Sequence, residues 1–521
     1  MDIIVSSQAA ESCLQMGQEA FLAGDLNQAE EFYRRGMNFY SVLAGETGTF
    51  KDRLSEAVLS GYLGTVLLLK GSVNPAENLF EKKFEICCSL IQEDHNSAEA
   101  YSEYADVLKK RGDCARLKGD GSKTLNCYMN SMFLYMYAAE LAKTDSSRYE
   151  YALACDNVAM YMDADSEVQV KKYYFEQELK TLSEISDGWE PLIVGETQSL
   201  VYRNLGELSQ RQGYHSEAEE YFEKSLDILI NLSETYNTME FKIKLGEAYE
   251  YFRNKAYGQE DYEEAARWCM KCLDVYSPLA ERTRTVEVME KLSDTYMYLG
   301  IIKNLSDEFS EAREWTGRYL NINYELADKI PSPEAQYNAA YADRVAGDIF
   351  LSQHEMEKAK EHYYESMSRY EKLLDEMPVY RERAVENLNH LYEAAGVILM
   401  YEDNLTEAVI FIKKFRETCL LEYEKKGTCE AYLRLADSYN DLGCIAVKMD
   451  LADEAQAQYL EGIRIYQELL ENENENEYAD EVREKLCGIY MKMACIAQDR
   501  DNPEDAHVWR SKAQDLGSIP E

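Results

Sequence analysis

Between Leu205 and Ser225 the chain reads LGELSQRQGYHSEAEEYFEKS. Its apolar positions recur at the spacing of one helix face, break near Gly213, and resume. The pattern predicts a helix, a tight turn and a second helix. Four positions stand out: Gly206, Ala218 twelve residues later, Phe222 four further on, and Ser225 three beyond that. Glycine inside a helix costs about 1 kcal/mol against alanine, so Gly206 needs a packing reason. The apolar repeat runs on through Leu226, Leu229, Ile230 and Leu232, which predicts a long second helix.

The same pattern returns along the whole chain. Residues 16–36 carry Gly17, Ala29, Tyr33 and Gly36, and residues 63–80 carry Gly64, Ala76 and Phe80. Later copies pair Gly300 with Ala312, Gly347 with Ala359 and Tyr363, Gly396 with Ala408, and Gly443 with Ala455, Tyr459 and Gly462. The last replaces glycine by Ala494 and keeps Ala506 and Ala513. Degenerate copies hold Gly112, Gly119, Tyr128 and Ser131; Ala159 and Phe175; and Tyr262, Ala265 and Cys272. About eleven units result, spaced by roughly 47 residues and starting near 10, 57, 105, 152, 199, 246, 293, 340, 389, 436 and 487. They predict one continuous array over residues 1–521. Gly206 and Ala218 are expected to face each other across each hairpin, letting the two backbones approach. Ser225 is expected to admit the next unit, and Tyr202 and Phe222 to fill the remaining holes. Tyr249, Tyr296, Tyr439 and Tyr490 repeat the place of Tyr202, which accounts for many of the 41 tyrosines by packing.

The spacing of Leu-Gly, Gly, Ala, aromatic and small residue resembles the tetratricopeptide repeat over nearly the whole chain. That family's unit is 34 residues, so about thirteen extra must extend the outer helix ends, roughly 10 Å each. Lengthened units of this kind resemble those of bacterial repeat proteins. HEAT and armadillo repeats share the period, but a regular proline in the first helix and a recurring Asp and Arg pair are not found. The resemblance implies an all-α, right-handed superhelical solenoid whose first helices line a concave groove for a peptide or partner protein. Groove candidates beside the Leu-Gly pair are Asn157 and Asn204, in corresponding places one unit apart. They resemble the asparagine ladder of kinesin light chain repeats, where one amide can both donate to and accept from a peptide group. Neighbouring candidates are Arg203, Lys109, Lys110, Arg211, Asn254 and Arg344, with Asn440 and Asp441 in matching places downstream. The competing account of all of these is a solvated wall. The Lys and Asn set of a carboxylate clamp is not in register.

Charge narrows the partner. A net charge of -42 and a pI near 4.6 repel phosphate backbones, which argues against nucleic acid and would steer in a basic protein or peptide. The simpler account is that acidic faces keep an elongated chain soluble. Thirteen cysteines without framework spacing read as buried apolar residues in a reducing compartment. Cys269 and Cys272 form a CxxC with no second pair and sit at packing positions. The opening MDIIVSSQAAESC lacks a basic leader, and the most apolar window, Leu59 to Leu69, is too short for a bilayer, so a cytoplasmic location is expected.

Motifs for nucleotide binding, zinc proteolysis and serine hydrolysis are missing; His354 and His362 could share a face of a second helix, but without partners at metal-ligand spacing. No catalytic residue, metal or cofactor is expected. The run Glu471–Glu477 reads as a linker, Trp189 and Pro191 as an inter-repeat turn, and GSIPE as a frayed end. The expected function is a non-enzymatic scaffold or adaptor. An alternative is a peptide-sensing regulator of a separate effector, disfavoured because repeats begin almost at Met1. A helical-toroid enzyme is a further alternative, disfavoured by only 4 tryptophans.

Overall fold

A computed structural model describes residues 2–162, 167–376, 378–471 and 478–516. Residues 472–477 of the acidic linker and the GSIPE end lie outside these. The described residues form 22 α-helices and no strand. The chain divides into two compact units, Met1–Ala248 and Tyr249–Glu521. The first holds α1 (Asp2–Leu22), α2 (Leu26–Thr47), α3 (Phe50–Leu69), α4 (Val73–Glu93), α5 (Ala98–Leu117), α6 (Gly121–Ala142), α7 (Asp145–Tyr161), α8 (Val168–Ser183), α9 (Pro191–Arg211) and α10 (His215–Tyr236). Helix α11 (Met239–Gly258) spans the division. The second unit continues with α12 (Tyr262–Thr283), α13 (Val286–Leu305), α14 (Phe309–Lys329), α15 (Pro333–Ser352), α16 (Met356–Glu376), α17 (Arg381–Tyr401), α18 (Leu405–Lys426), α19 (Cys429–Lys448), α20 (Ala452–Glu471), α21 (Ala479–Asp499) and α22 (Pro503–Asp515). Odd-numbered helices are the first helices of hairpins and even-numbered ones the second. Within each unit the hairpins stack as an α-solenoid.

The extra length falls where the pattern placed it. Helix α9 runs 21 residues and begins well before Gly206, and α10 runs 22 residues and ends well past Ser225. Among the described residues, ten turns inside hairpins have one left-handed residue seven positions after the glycine position of the first helix. In the first unit it is glycine: Gly24, Gly71, Gly119 and Gly213, all with φ between 76° and 79°. In the second unit Glu260, Asp307, His354, Asp403, Asp450 and Asp501 hold φ between 56° and 60°. Aspartate tolerates this region better than most residues because its short side chain bonds locally. His354 is therefore a turn residue, not on the face of a second helix with His362. Trp189 and Pro191 do mark a turn between hairpins, with Pro191 opening α9.

What Gly206 accommodates is the ring of Phe222: a Cβ built on Gly206 would lie 2.8 Å from it. The sequence pattern sets Gly206 opposite Ala218 with the backbones close; the nearest atoms are instead those of the Phe222 ring, which fills the hole as expected of it. Gly17, Gly64, Gly112, Gly347 and Gly443 meet Tyr33, Phe80, Tyr128, Tyr363 and Tyr459 in the same way, each too close for a side chain. Backbones do approach at Gly300, where the Ala312 carbonyl would lie 3.6 Å from an added Cβ. Hairpin six inverts the pair. Arg253 stands in the glycine position and Cys269 in the ring position, so the large and small partners have exchanged sides.

Ser225 also departs from expectation. Its hydroxyl donates to the Ser199 carbonyl of its own first helix at 2.9 Å. Ser131 and Ser366 bond Ala105 and Ala340 likewise, both at 2.7 Å. Gly36 and Gly462, at the same position, lie against Leu59 and Ile489 of the next hairpin, as expected. Two hairpins place a lysine or a glutamate there, Lys83 and Glu178. Lys83 is fully buried and pairs with Asp106 and, at 2.6 Å, with Glu103 of α5. Burial works against its charge, but the two carboxylates outweigh it and hold the ammonium above its usual range. Glu178 is fully buried with no partner for either oxygen, and burial, then Asp156, pushes its carboxyl up to about 9.

A second recurrence links the hairpin helices. Tyr249 packs on Trp268, Tyr296 on Trp315 and Tyr490 on Trp509, with centroids 5.6–5.7 Å apart. Three residues after each tryptophan a cation covers its ring: Lys271 at 3.7 Å, Arg318 at 4.6 Å and Lys512 at 4.3 Å.

Candidate partner-binding face

First helices of neighbouring hairpins touch one another, as α3 does α5 and as α15 does both α13 and α17. This gives each unit a face built from first helices, and polar side chains bridge it from one hairpin to the next. In the first unit Ser102 donates to Glu150 at 2.8 Å, Tyr149 lies 3.1 Å from Thr197, and Lys244 bonds Glu196. In the second, Lys291 reaches Glu250 at 3.2 Å and Asn387 donates to the Tyr337 hydroxyl at 3.1 Å. His390 lies 2.8 Å from Asp348, and Lys492 donates to Asn440 at 2.8 Å.

The residues singled out in the sequence lie on first helices α5, α7, α9, α11, α15 and α19, in both units, and are not gathered at one point. Asn157 donates to Leu153 of its own helix at 2.6 Å, and the Asn204 amide faces the Met160 sulfur at 3.6 Å. Arg203 pairs loosely with Glu207 at 3.8 Å. Lys109 and Lys110 are half-buried, and Lys109 tempers the charge of Asp156 on α7, whose carboxyl burial nonetheless raises. Arg211 is exposed in the last turn of α9. Asn254 accepts from the Arg253 Nε at 3.1 Å. Arg344 pairs with Asp348 at 2.9 Å and covers the Tyr341 ring at 4.7 Å. Cys269 and Cys272 are buried with thiols pushed up to about 12 by burial, which suits packing.

The second unit contains a recess that sequence reasoning missed. It encloses about 620 Å³ between α13, α15 and α17, over α14. Asp294 and Glu290 come from α13, Glu334, Tyr337 and Tyr341 from α15, Arg383 and Glu386 from α17, and Tyr319 and Asn323 from α14. The surrounding protein and then Glu250 push Asp294 up to about 6, although Arg253 and Lys291 pull the other way. Burial and then Glu334 raise Glu290. A second acidic stretch lies on α17 and α19, where burial, then Glu393 and Asp437, push Asp441 up to about 7. The available signal was the acid six positions before the glycine, shared by Asp106, Asp294 and Asp437.

Among the described residues no group of three metal-ligating side chains assembles, and no helix is long and apolar enough to cross a membrane. The family model described as tetratricopeptide repeat matches residues 200–234 and 435–475. No curated protein matches the chain. Among solved structures, the apo form of RapI is 12% identical with a TM-score of 0.42, covering 79% of this chain and 97% of that one. The nuclear import adaptor Nro1 of S. pombe is 13% identical with a TM-score of 0.42, covering 56% and 99%. A signal transduction ATPase with a tetratricopeptide repeat sensor from Pyrococcus horikoshii is 16% identical with a TM-score of 0.42, covering 85% of this chain and 53% of that one. Likeness at these scores carries no argument about function. The two matched segments carry tetratricopeptide repeats, and the glycine-to-ring contacts at Gly17, Gly64, Gly112 and Gly347 extend the same packing to hairpins outside them, so the fold is that of a tetratricopeptide-like solenoid.

Proposed function

We propose that the protein is a non-enzymatic scaffold that binds a basic protein or peptide segment in a groove lined by its first helices. Tetratricopeptide-type repeats serve as interaction scaffolds in general. The observation that carries the finer reading is the excess of carboxylates over cations lining the recess on the first helices of the second unit, Glu290, Asp294, Glu334 and Glu386 against Arg383. The surrounding protein, and then a neighbouring carboxylate (Glu250, Glu334, Asp437 and Glu393 respectively), raises Asp294, Glu290, Glu393 and Asp441, against the pull of nearby cations at all but Glu290. A folded chain gains nothing by crowding such groups, and an incoming cationic segment would relieve them. In the first unit, Lys109, Asn157, Arg203 and Asn204 on α5, α7 and α9 would bracket peptide groups of a partner segment.

The test is selection of random displayed peptides on the full chain, followed by anisotropy titration of the enriched sequences. Enriched peptides should be basic, and the double substitution Asn157→Ala and Asn204→Ala should weaken them by roughly 1–3 kcal/mol in all, the loss of one or two peptide-group hydrogen bonds. Enrichment of acidic sequences, or of none, would remove this reading.

A further inference from the structure

Within the proposed scaffold function, on which this inference rests, we propose that the recess between α13, α15 and α17 receives one cationic side chain of the partner, a guanidinium or an ammonium. Four carboxylates, Glu290, Asp294, Glu334 and Glu386, line it against one guanidinium, Arg383. They are not equivalent. Glu386 is paired with Lys426 at 2.6 Å, and Glu334 accepts from the Tyr380 hydroxyl. Asp294 and Glu290 have no ion-pair partner among the described residues, and the nearby Lys291 is engaged with Glu250. The open charge of the recess therefore sits on α13.

Tyr319 is an independent observation. It lines the recess from the second helix α14 and is 4% exposed as a residue, and its hydroxyl, bonded to no group of the described residues, opens to the recess rather than being sealed off. Tyr363, Tyr128 and Tyr276 each donate to an aspartate or glutamate of their own unit at 2.7–2.8 Å. At the position where most hairpins carry a small residue, Tyr319 and Phe415 are the two rings; Phe415 is fully buried, whereas Tyr319 lines the recess.

Shape and polarity agree. Tyr319, Tyr337 and Tyr341 present aromatic walls, and a cation over such a ring is attracted by its quadrupole. The chain's own Arg344 already covers Tyr341 at 4.7 Å. Asn323 is held by donation to Ser293 at 2.7 Å and to the Tyr319 carbonyl at 2.9 Å, so the floor is rigid. A partner cation would lie between the carboxylates of Asp294 and Glu290, with its stem along the tyrosines.

The probes are fluorescein-labelled peptides of alternating glycine with arginine, lysine or citrulline, titrated by anisotropy into the full chain. Citrulline keeps the shape of arginine without its charge. The arginine or lysine peptide should bind at least about tenfold more tightly than the citrulline peptide. Asp294→Asn should remove most of that preference while leaving the melting temperature equal or higher, since a crowded charge is lost. Tyr319→Phe should weaken the charged peptide about threefold with the fold intact. Asp450→Asn makes the same charge change in the turn before α20 and should leave binding within about twofold. Equal losses for Asp294→Asn and Asp450→Asn, equal binding of the citrulline peptide, or no binding of any charged peptide would overturn the recess. In the first case the scaffold reading survives, carried by the displayed-peptide selection; failure of that selection removes both.

Discussion

At residue scale, the buried ionisable groups separate two outcomes of one position. Lys83 and Glu178 both stand where most other hairpins put a small residue. Lys83 found two carboxylates on the next hairpin, and Glu178 found none. Lys83→Met should cost about 3–5 kcal/mol, because it leaves Asp106 and Glu103 without their cation; hydrogen exchange of α4 and α5 reads this locally. Glu178 has the opposite sign. Its folded carboxyl, pushed up to about 9, binds a proton that the unfolded chain has released above about 4.5. Stability from this group is full below pH 4.5, falls as pH rises toward 9, and is flat beyond. Glu178→Gln should remove that slope and stabilise hairpin four by about 1–3 kcal/mol at pH 7, checked by melts at several pH values.

At element scale, the turns inside hairpins divide by chemistry. Glu260 takes the left-handed conformation without the local bonding that aspartate offers. That conformation costs an L-residue about 1–2 kcal/mol, and glycine gives back about 0.4–1 through a freer unfolded chain. Glu260→Gly should therefore stabilise the turn between α11 and α12 by roughly 0.5–1 kcal/mol, measured by hydrogen exchange there. The recess is also an element-scale feature, since it exists only when α13, α15 and α17 stack over α14. Asp294 faces Glu250 and Arg253 from α11 and Lys291 and Glu290 on its own helix. Affinity for a cationic peptide should fall as pH drops through about 6, where Asp294 takes up a proton. A titration between pH 7.5 and 5 checks this, and Asp294→Asn should flatten it.

At the scale of the whole molecule, a net charge of -42 sets the kinetics of encounter more than the energy of docking. Association with a basic peptide should slow steeply between low salt and about 0.5 M, while dissociation, governed by the recess and the rows of the first-helix face, changes little. Stopped-flow anisotropy separates the two. Dissociation that accelerates as strongly as association slows would mean that the peptide is held by diffuse charge alone.

The spacing of Gly206, Ala218 and Phe222 was enough to determine the hairpin, its repetition and its lengthened ends, because those depend on local periodicity and on the room one helix leaves for another. Even the degenerate sixth copy obeys the same volume rule, with Arg253 and Cys269 exchanged. Contacts between hairpins were decided only by the tertiary structure. Whether Ser225 turns to its own helix, whether Lys83 meets Asp106, and whether Asp294 opens onto Tyr319 and Tyr341 depend on which side chains three stacked hairpins bring together. The physical reason is range: helix pairing is set within about forty residues, whereas the field and shape of a recess sum over residues from Glu250 to Glu386.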